Sequence, residues 1–152
     1  ALEKAVTEAQ VTNVMAEIAL AFIDYQEKAF AKAAATADGL LAKYPNNIIL
    51  RTLKGDCLIQ QKKFPEAVAE FEKILSIEPD VTKAYLYMGM AYAREGKDKA
   101  RAKEFLQKYL SLDTKASDEW RDPASNALKA LEKPEGAAGE QKLPESFGSI
   151  IR

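Results

Sequence analysis

The stretch of sequence that decides the fold is residues 48–81, IILRTLKGDCLIQQKKFPEAVAEFEKILSIEPDV. Residues of the same type recur 34 positions apart in and around this stretch, in the pairs Phe30 and Phe64, Ala33 and Ala67, Leu41 and Leu75, Pro45 and Pro79, and Gly55 and Gly89. A fixed period of this length is the signature of an architecture in which each copy is one supersecondary unit. Because one such unit cannot bury its apolar face alone, we predict that neighbouring copies stack into an array.

The period and its residue pattern resemble the tetratricopeptide repeat (TPR) family, whose unit is a helix-turn-helix. The middle repeat matches in both helices, at Gly55, Leu58, Phe64, Ala67, Phe71 and Pro79. The third repeat matches best in its first helix, at Tyr85, Met88, Gly89, Ala91 and Tyr92, and its second helix is offset by one residue. The first repeat is weakest, since Glu17 stands where a large residue is usual and Asp24 replaces the Tyr. The resemblance covers residues 14–115.

The resemblance implies an all-α, right-handed helical solenoid with a C-terminal capping helix. The implied units are a first repeat at 14–47, a second at 48–81, a third at 82–116 and the capping helix at 117–133. Gly55 and Gly89 are expected where the two helices of a repeat cross, because a small residue lets the helix axes approach. Pro45 and Pro79 lack an N–H group and are expected to end the second helix of a repeat.

Composition and charge exclude several classes of function. Lys plus Arg is 22 and Asp plus Glu is 23, so the net charge is −1. This balance argues against a nucleic-acid-binding protein, which needs a basic face. The chain has 0 His and 1 Cys, which excludes histidine-dependent nucleophilic sites, histidine-ligated zinc and an intrachain disulfide. No cofactor or metal site is predicted.

The family's usual role is to hold other proteins on a concave wall built from the first helix of each repeat. In this register the wall residues are Met15, Ile18, Phe22 and Tyr25 in the first repeat, Ile49, Thr52, Leu53, Asp56 and Ile59 in the second, and Lys83, Leu86, Tyr87, Met90 and Arg94 in the third. Most are apolar or aromatic, and Met side chains can repack around varied ligands. We therefore predict an apolar groove that binds a peptide or helix of a partner protein. The alternative is that some of these residues belong to the core.

Chaperone-tail-binding members of the family use a Lys/Asn/Arg clamp for a peptide carboxylate. The corresponding positions here hold Ile18, Phe22, Leu53, Lys83 and Tyr87, of which only Lys83 fits. The resemblance therefore does not extend to that subclass.

Candidate chemical groups in the chain have simpler structural interpretations. Gly89 and Gly96 superficially suggest a phosphate-binding loop, but their spacing is wrong and Asp98 stands where Ser or Thr is needed. Cys57 occupies a small repeat position and is expected to be a packed core thiol. A group of carboxylates on the second helix of the middle repeat is expected to form a solvated face: Glu66, Glu70 and Glu72. The sequence therefore predicts no enzyme activity.

The N-terminal 13 residues have two interpretations, which the sequence leaves open. Residues 2–6 echo residues 71–75, so they could end the second helix of a preceding repeat in a longer array. They could equally be an N-terminal extension of the first helix. The best apolar window, residues 14–23, contains Glu17, so no membrane span is predicted.

After the third repeat, Asp122 is expected to be the N-cap of the capping helix, with Pro123 at its first position. Trp120 is expected to pack beneath this helix. Residues 134–142 are typical of a flexible linker, and the apolar tail 143–152 that follows is expected to bind the groove weakly if at all.

The partner is thus predicted to be another protein, with possible self-association through the groove or the tail, and no nucleic acid. The alternative is a structural, self-associating segment of a larger TPR protein. The compartment stays open between the cytoplasm and, if a leader before Ala1 has been removed, the bacterial periplasm.

Overall fold

A computed structural model describes residues 1–133, without the side chains of residues 10–12. The described residues form seven α-helices and no strand: α1 (Leu2–Gln26), α2 (Phe30–Lys43), α3 (Ile48–Gln60), α4 (Phe64–Ile77), α5 (Lys83–Glu95), α6 (Lys99–Leu112) and α7 (Asp118–Glu132). Each helix packs against the next one in sequence, and α7 also contacts α5. The prediction of an all-α solenoid is confirmed. The predicted tail and linker lie outside the described residues.

The 34-residue period is visible in the backbone of the turns that join the two helices of each repeat. Lys28 and Lys62 are the only non-glycine residues with positive φ in the described part, at 61° and 60°. Gly96 takes the equivalent position in the third repeat, with φ of 75°. Only glycine adopts this left-handed conformation without strain, so the two lysines carry a conformational cost that Gly96 avoids.

Both repeat glycines lie where two helices approach most closely. A Cβ atom added to Gly55 would lie 2.7 Å from Cζ of Phe71, and one added to Gly89 would lie 2.7 Å from Cγ of Leu106. Phe71 and Leu106 are fully buried on the second helix of the same repeat. The expectation that these glycines permit the helix crossing is therefore confirmed.

The core extends along the solenoid and is richest in the second and third repeats. The largest cluster joins α3 to α7 and includes Phe71, Tyr87, Leu106 and Tyr109. Phe71 and Tyr87 stack, with ring centroids 4.8 Å apart. The first repeat contributes two smaller clusters, in which α1 packs on α2 and α3.

The N-terminal residues 2–13 continue into α1 as one helix of 25 residues, with no turn before the first repeat. By length and composition, α1 is long and apolar enough to cross a membrane, contrary to the expectation from the sequence. Core helices of soluble proteins and N-terminal signal sequences can be equally long and apolar. One face of residues 14–26 also packs on α2 and α3, so a membrane-spanning α1 would have to leave the first repeat.

The capping helix begins earlier than predicted. Ser117 is the N-cap of α7, and Pro123 lies inside the helix, so the prediction that Asp122 caps it is wrong. Asp118 and Glu119 in the first turn favour a helix start there, since acidic groups are stabilising near a helix N-terminus. The earlier start also places Trp120 on the helix, where it is buried as expected.

Candidate protein-binding site

The predicted wall residues divide sharply by burial. Six of the apolar or aromatic ones lie in the core clusters and have almost no exposed surface: Ile18, Leu53, Ile59, Leu86, Tyr87 and Met90. Asp56 and Lys83 are buried polar residues, and so is Thr52. Buried side chains cannot contact a partner directly. These nine residues therefore fit the alternative interpretation, in which they belong to the core.

Exposed surface remains mainly in the first repeat, with one position each in the second and third repeats. Met15 is exposed, while Phe22, Tyr25, Ile49 and Arg94 are half-buried. Phe22 contributes to both first-repeat clusters, and Tyr25 meets Phe30 edge to face at 5.3 Å. The accessible part of the predicted wall is thus mainly aliphatic and aromatic, with one cation.

A polar cluster links the three repeats through their first helices, α1, α3 and α5. The Tyr25 hydroxyl of α1 donates a hydrogen bond to Asp56 Oδ2 of α3. Gln60 Nε2, one turn further along α3, donates to Asp56 Oδ1 at 3.4 Å. Arg94 of α5 acts on Asp56 through its charge, and Asp56 acts likewise on Tyr87. We name these five residues the polar cluster.

Burial dominates the electrostatics of the polar cluster. It raises the pKa of Asp56 to about 6, and the bonds from Tyr25 and Gln60 and the charge of Arg94 only partly oppose this. Burial also raises the pKa values of Tyr25 and Tyr87, and the nearby Asp56 raises them further. The Tyr87 hydroxyl is buried with no hydrogen-bond partner in the described structure.

Periodicity indicated Tyr25, Asp56, Tyr87 and Arg94 as wall residues, but it missed Gln60. The structure brings all five together from three helices. The available signal was the spacing of four between Asp56 and Gln60, which places both on one face of a helix. Which part of that face Tyr25 covers depends on how α1 packs against α3, which is decided by the tertiary structure.

A second polar network joins α3 and α4 within the second repeat, and it corrects one expectation. Glu66 and Glu72 are exposed as predicted, but Glu70 is buried. Arg51 and Lys54 of α3 form ion pairs with Glu70 at 2.8 and 3.0 Å. Glu70 faces α3 rather than solvent because these two cations lie opposite it. Its pKa is lowered: burial acts to raise it, but hydrogen bonds from Lys54 and Arg51 outweigh that effect.

The other two residues considered for chemistry, Cys57 and Lys83, are both buried in the fold. Cys57 is buried, and burial raises the pKa of its thiol to about 12, so the thiolate needed for nucleophilic attack is disfavoured. The Lys83 ammonium, the one clamp-like residue, lies 4.0 Å from the centre of the Trp120 ring. Among residues 1–133 no group of three or more His, Cys, Asp or Glu side chains could hold a metal ion.

Comparison with known proteins agrees with this architecture. Residues 24–83 match a family model described as tetratricopeptide repeat, and residues 83–113 match a second model with the same description. Together the matches extend over more than half of the chain. The chain belongs to the tetratricopeptide repeat family, whose members are helical protein-interaction modules.

Among solved structures, the chain is similar to the first TPR of Spaghetti (RPAP3) bound to the HSP90 peptide SRMEEVD. The TM-score is 0.67 at 19% sequence identity, and the match covers 78% of this chain and 89% of that chain. At this identity the similarity concerns the fold. No curated protein matches the chain.

Proposed function

We propose that this chain is a non-catalytic adaptor or assembly module that binds a peptide or helix of another protein on the surface formed by α1, α3 and α5. One observation carries the proposal: the predicted wall keeps accessible apolar or aromatic side chains on α1 and α3 and one cation on α5. The polar cluster lies beneath this surface and joins the three first helices, so a ligand on the surface would bind one connected unit. Membership of the TPR family and a peptide-bound structural neighbour support the same role.

The accessible side chains define the chemistry of the ligand. Met15, Phe22 and Ile49 offer aliphatic and aromatic contact area, and Tyr25 adds an aromatic edge. Arg94 of α5 supplies positive charge to this surface. A ligand with two or three apolar anchors followed by an acidic group fits this arrangement. The Lys/Asn/Arg clamp that holds a terminal carboxylate in chaperone-tail-binding members is matched here only by Lys83.

The side chains available for chemistry support a non-catalytic role. A nucleophilic site needs an activated nucleophile beside a general base. The chain has no His, and the Cys57 thiol is buried with a raised pKa. Asp56, the carboxyl group with a pKa of about 6, is itself buried and already accepts two hydrogen bonds.

Selection of peptides from a random library displayed on phage would test the proposal, using the full chain as bait. Peptides with spaced apolar anchors and an acidic residue are expected. Phe22→Glu should weaken the selected peptides at least about tenfold, because it places a charge at an apolar contact. Glu72→Lys on the exposed side of α4 is the matched control and should leave affinity unchanged.

The peptide SRMEEVD is the second probe, and it is expected to bind weakly. Tight binding of SRMEEVD would contradict the absence of a carboxylate clamp. A library selection that yields no peptide, or peptides indifferent to Phe22→Glu, would contradict the proposed surface. Tyr87→Glu is unsuitable here because Tyr87 lies in the core.

A structural role within a larger TPR protein is the second candidate function. It is favoured by the exposed apolar residues on the side of α1 that faces away from α2 and α3, such as Leu20 and Ile23.

A further inference from the structure

The helix α1 is apolar on two opposite sides, and only one of them is covered. Val14, Ile18 and Ala21 point into the first-repeat clusters. The opposite side carries residues at alternating spacings of four and three, all of them exposed: Leu2, Val6, Ala9, Asn13, Ala16, Leu20 and Ile23. We name these seven residues the α1 seam. Its four large apolar members are exposed by 82% at Leu2, 51% at Val6, 59% at Leu20 and 48% at Ile23.

The spacing of the α1 seam is that of a two-stranded coiled coil. Apolar residues at alternating spacings of three and four form the contact line between two helices, and the pattern favours a coiled coil when it is sustained over about three to four heptads. The α1 seam extends over three heptads. Asn13 is its single polar member, and a lone Asn in such a seam sets the register of pairing.

The internal repeats indicate that this side of a first helix is normally covered by another helix. Shifting Ala16 and Ile23 by one and two periods gives Leu50 and Cys57 in α3, and Ala84 and Ala91 in α5. All four equivalents are fully buried. The covering helix is the second helix of the preceding repeat, α2 for α3 and α4 for α5.

The length of the α1 seam distinguishes between possible covering helices. A second helix of a repeat has 14 residues here, and α3, α5 and α7 have 13 to 15. At 1.5 Å per residue such a helix is about 21 Å long, whereas the seam from Leu2 to Ile23 is about 32 Å long. Among the described helices, only another α1, with 25 residues, matches this length.

The α1 seam is also complementary to itself. In a parallel pair each residue of the α1 seam faces the same residue of the second copy, so Asn13 faces Asn13. The small residues Ala9 and Ala16 flank this centre, and the large ones lie towards both ends. Like sizes therefore meet in a parallel pair.

We propose that α1 is a homodimerisation helix, whose seam pairs with the α1 seam of a second copy of this chain. This surface lies opposite the one that packs on α2 and α3. It does not include the residues proposed to bind a partner protein, so either proposal can fail without the other. Two partner-binding surfaces would then be held together in one dimer.

Sedimentation velocity of the full chain over a concentration series tests the proposal. We expect a species of twice the 16.8 kDa chain mass. Replacing both Leu20 and Ile23 by Glu places charges in the seam and should raise the dissociation constant by about 100-fold or more. Met15→Glu is the matched control, because Met15 is 54% exposed on α1 but lies outside the seam. A wild-type chain that stays monomeric at about 1 mM would overturn the proposal.

Disulfide cross-linking locates the contact. Asn13→Cys should form a covalent dimer rapidly under a mild oxidant, since the two copies of this position face each other. Lys4→Cys, on the opposite side of α1, should not, and neither should the wild-type chain, whose Cys57 is buried. Equal cross-linking of Asn13→Cys and Lys4→Cys would overturn the proposed seam.

Flotation with vesicles of phosphatidylcholine and phosphatidylglycerol separates self-pairing from lipid binding, because α1 is also apolar enough to enter a membrane. The dimer is expected to remain in the unfloated fraction. Flotation of a monomer that is lost when Leu20 and Ile23 become Glu would assign the seam to lipid and overturn the proposal.

Discussion

Asp56 is the residue whose chemistry depends most on the assembled repeats. Its carboxylate lies in α3 and is only 1% exposed, yet it receives hydrogen bonds from α1 and from its own helix. A carboxylate in these surroundings is held by its partners and penalised by the loss of water. The pKa of about 6 means that loss of water is the larger effect.

This pKa predicts how stability depends on pH. Because the folded state binds the Asp56 proton more tightly than the unfolded state, whose pKa is near 3.8, the free energy of unfolding should fall as the pH rises from 4 through 6. The contribution of this group is about 3 kcal/mol, and it is fully present only below pH 4. In Asp56→Asn this dependence should vanish.

Urea unfolding of wild type and Asp56→Asn between pH 4 and pH 8 measures the difference. The free energy of unfolding of Asp56→Asn relative to that of wild type should rise with pH up to pH 7 and then level off. Asp80→Asn, at an exposed site after α4, removes one carboxylate without touching the polar cluster and is the control. If the difference in the free energy of unfolding between wild type and Asp56→Asn were constant with pH, this would contradict the raised pKa of Asp56.

At the scale of the helices, close approach within each repeat depends on glycine. Gly89 lies in α5 against the side chain and the backbone of Leu106, whose amide nitrogen would be only 3.1 Å from an added Cβ. The backbone cannot move aside as a side chain can. Gly39 lies in α2, and nothing would be within 4 Å of a Cβ added there.

These two glycines make a matched pair of substitutions. Gly89→Ala should lower the free energy of unfolding by about 1–3 kcal/mol through overpacking, and Gly89→Leu should lower it further. Gly39→Ala should raise it by about 1 kcal/mol, because alanine favours the helix more than glycine does. Thermal unfolding followed by circular dichroism would show both. An unchanged melting temperature in Gly89→Ala would refute the proposed helix crossing.

At the scale of the whole molecule, α7 closes the C-terminal end of the core. Trp120, Ala124 and Ala127 of α7 belong to the largest hydrophobic cluster. Arg121 of α7 donates a hydrogen bond to the carbonyl oxygen of Asp113 at 2.7 Å, which links α7 to the segment that precedes it. An array of repeats needs such a cap, because the last repeat would otherwise leave an apolar face in water.

Loss of the tryptophan side chain should therefore destabilise the molecule. Trp120→Ala is expected to cost about 3–5 kcal/mol, because it leaves a large cavity between α7 and the third repeat. Leu112→Ala is the control: Leu112 is 52% exposed at the end of α6, and its loss should change stability by less than about 0.5 kcal/mol. Guanidinium unfolding would measure both, and equal effects would contradict the capping role of α7.

The repeated part of the fold was predictable from the sequence because each repeat obeys the same local rules. The period of 34 and the glycines at the helix crossings follow from residue types alone. The burial of Cys57 and Trp120 was likewise predictable from their positions in the pattern. Partner binding by the wall residues stays a prediction.

The tertiary structure alone decided which sides of the first helices are covered. Periodicity assigns a residue such as Tyr87 to one side of α5, but only the packed neighbours bury it against Phe71. The same holds for Glu70, whose burial depends on two cations that α3 places opposite it. A helical sequence pattern specifies on which side of its helix a residue lies. Whether that residue is buried or ionised depends on every element that packs against the helix. This is why the sequence determined the solenoid, and the structure determined the polar cluster within it and the exposed seam on α1.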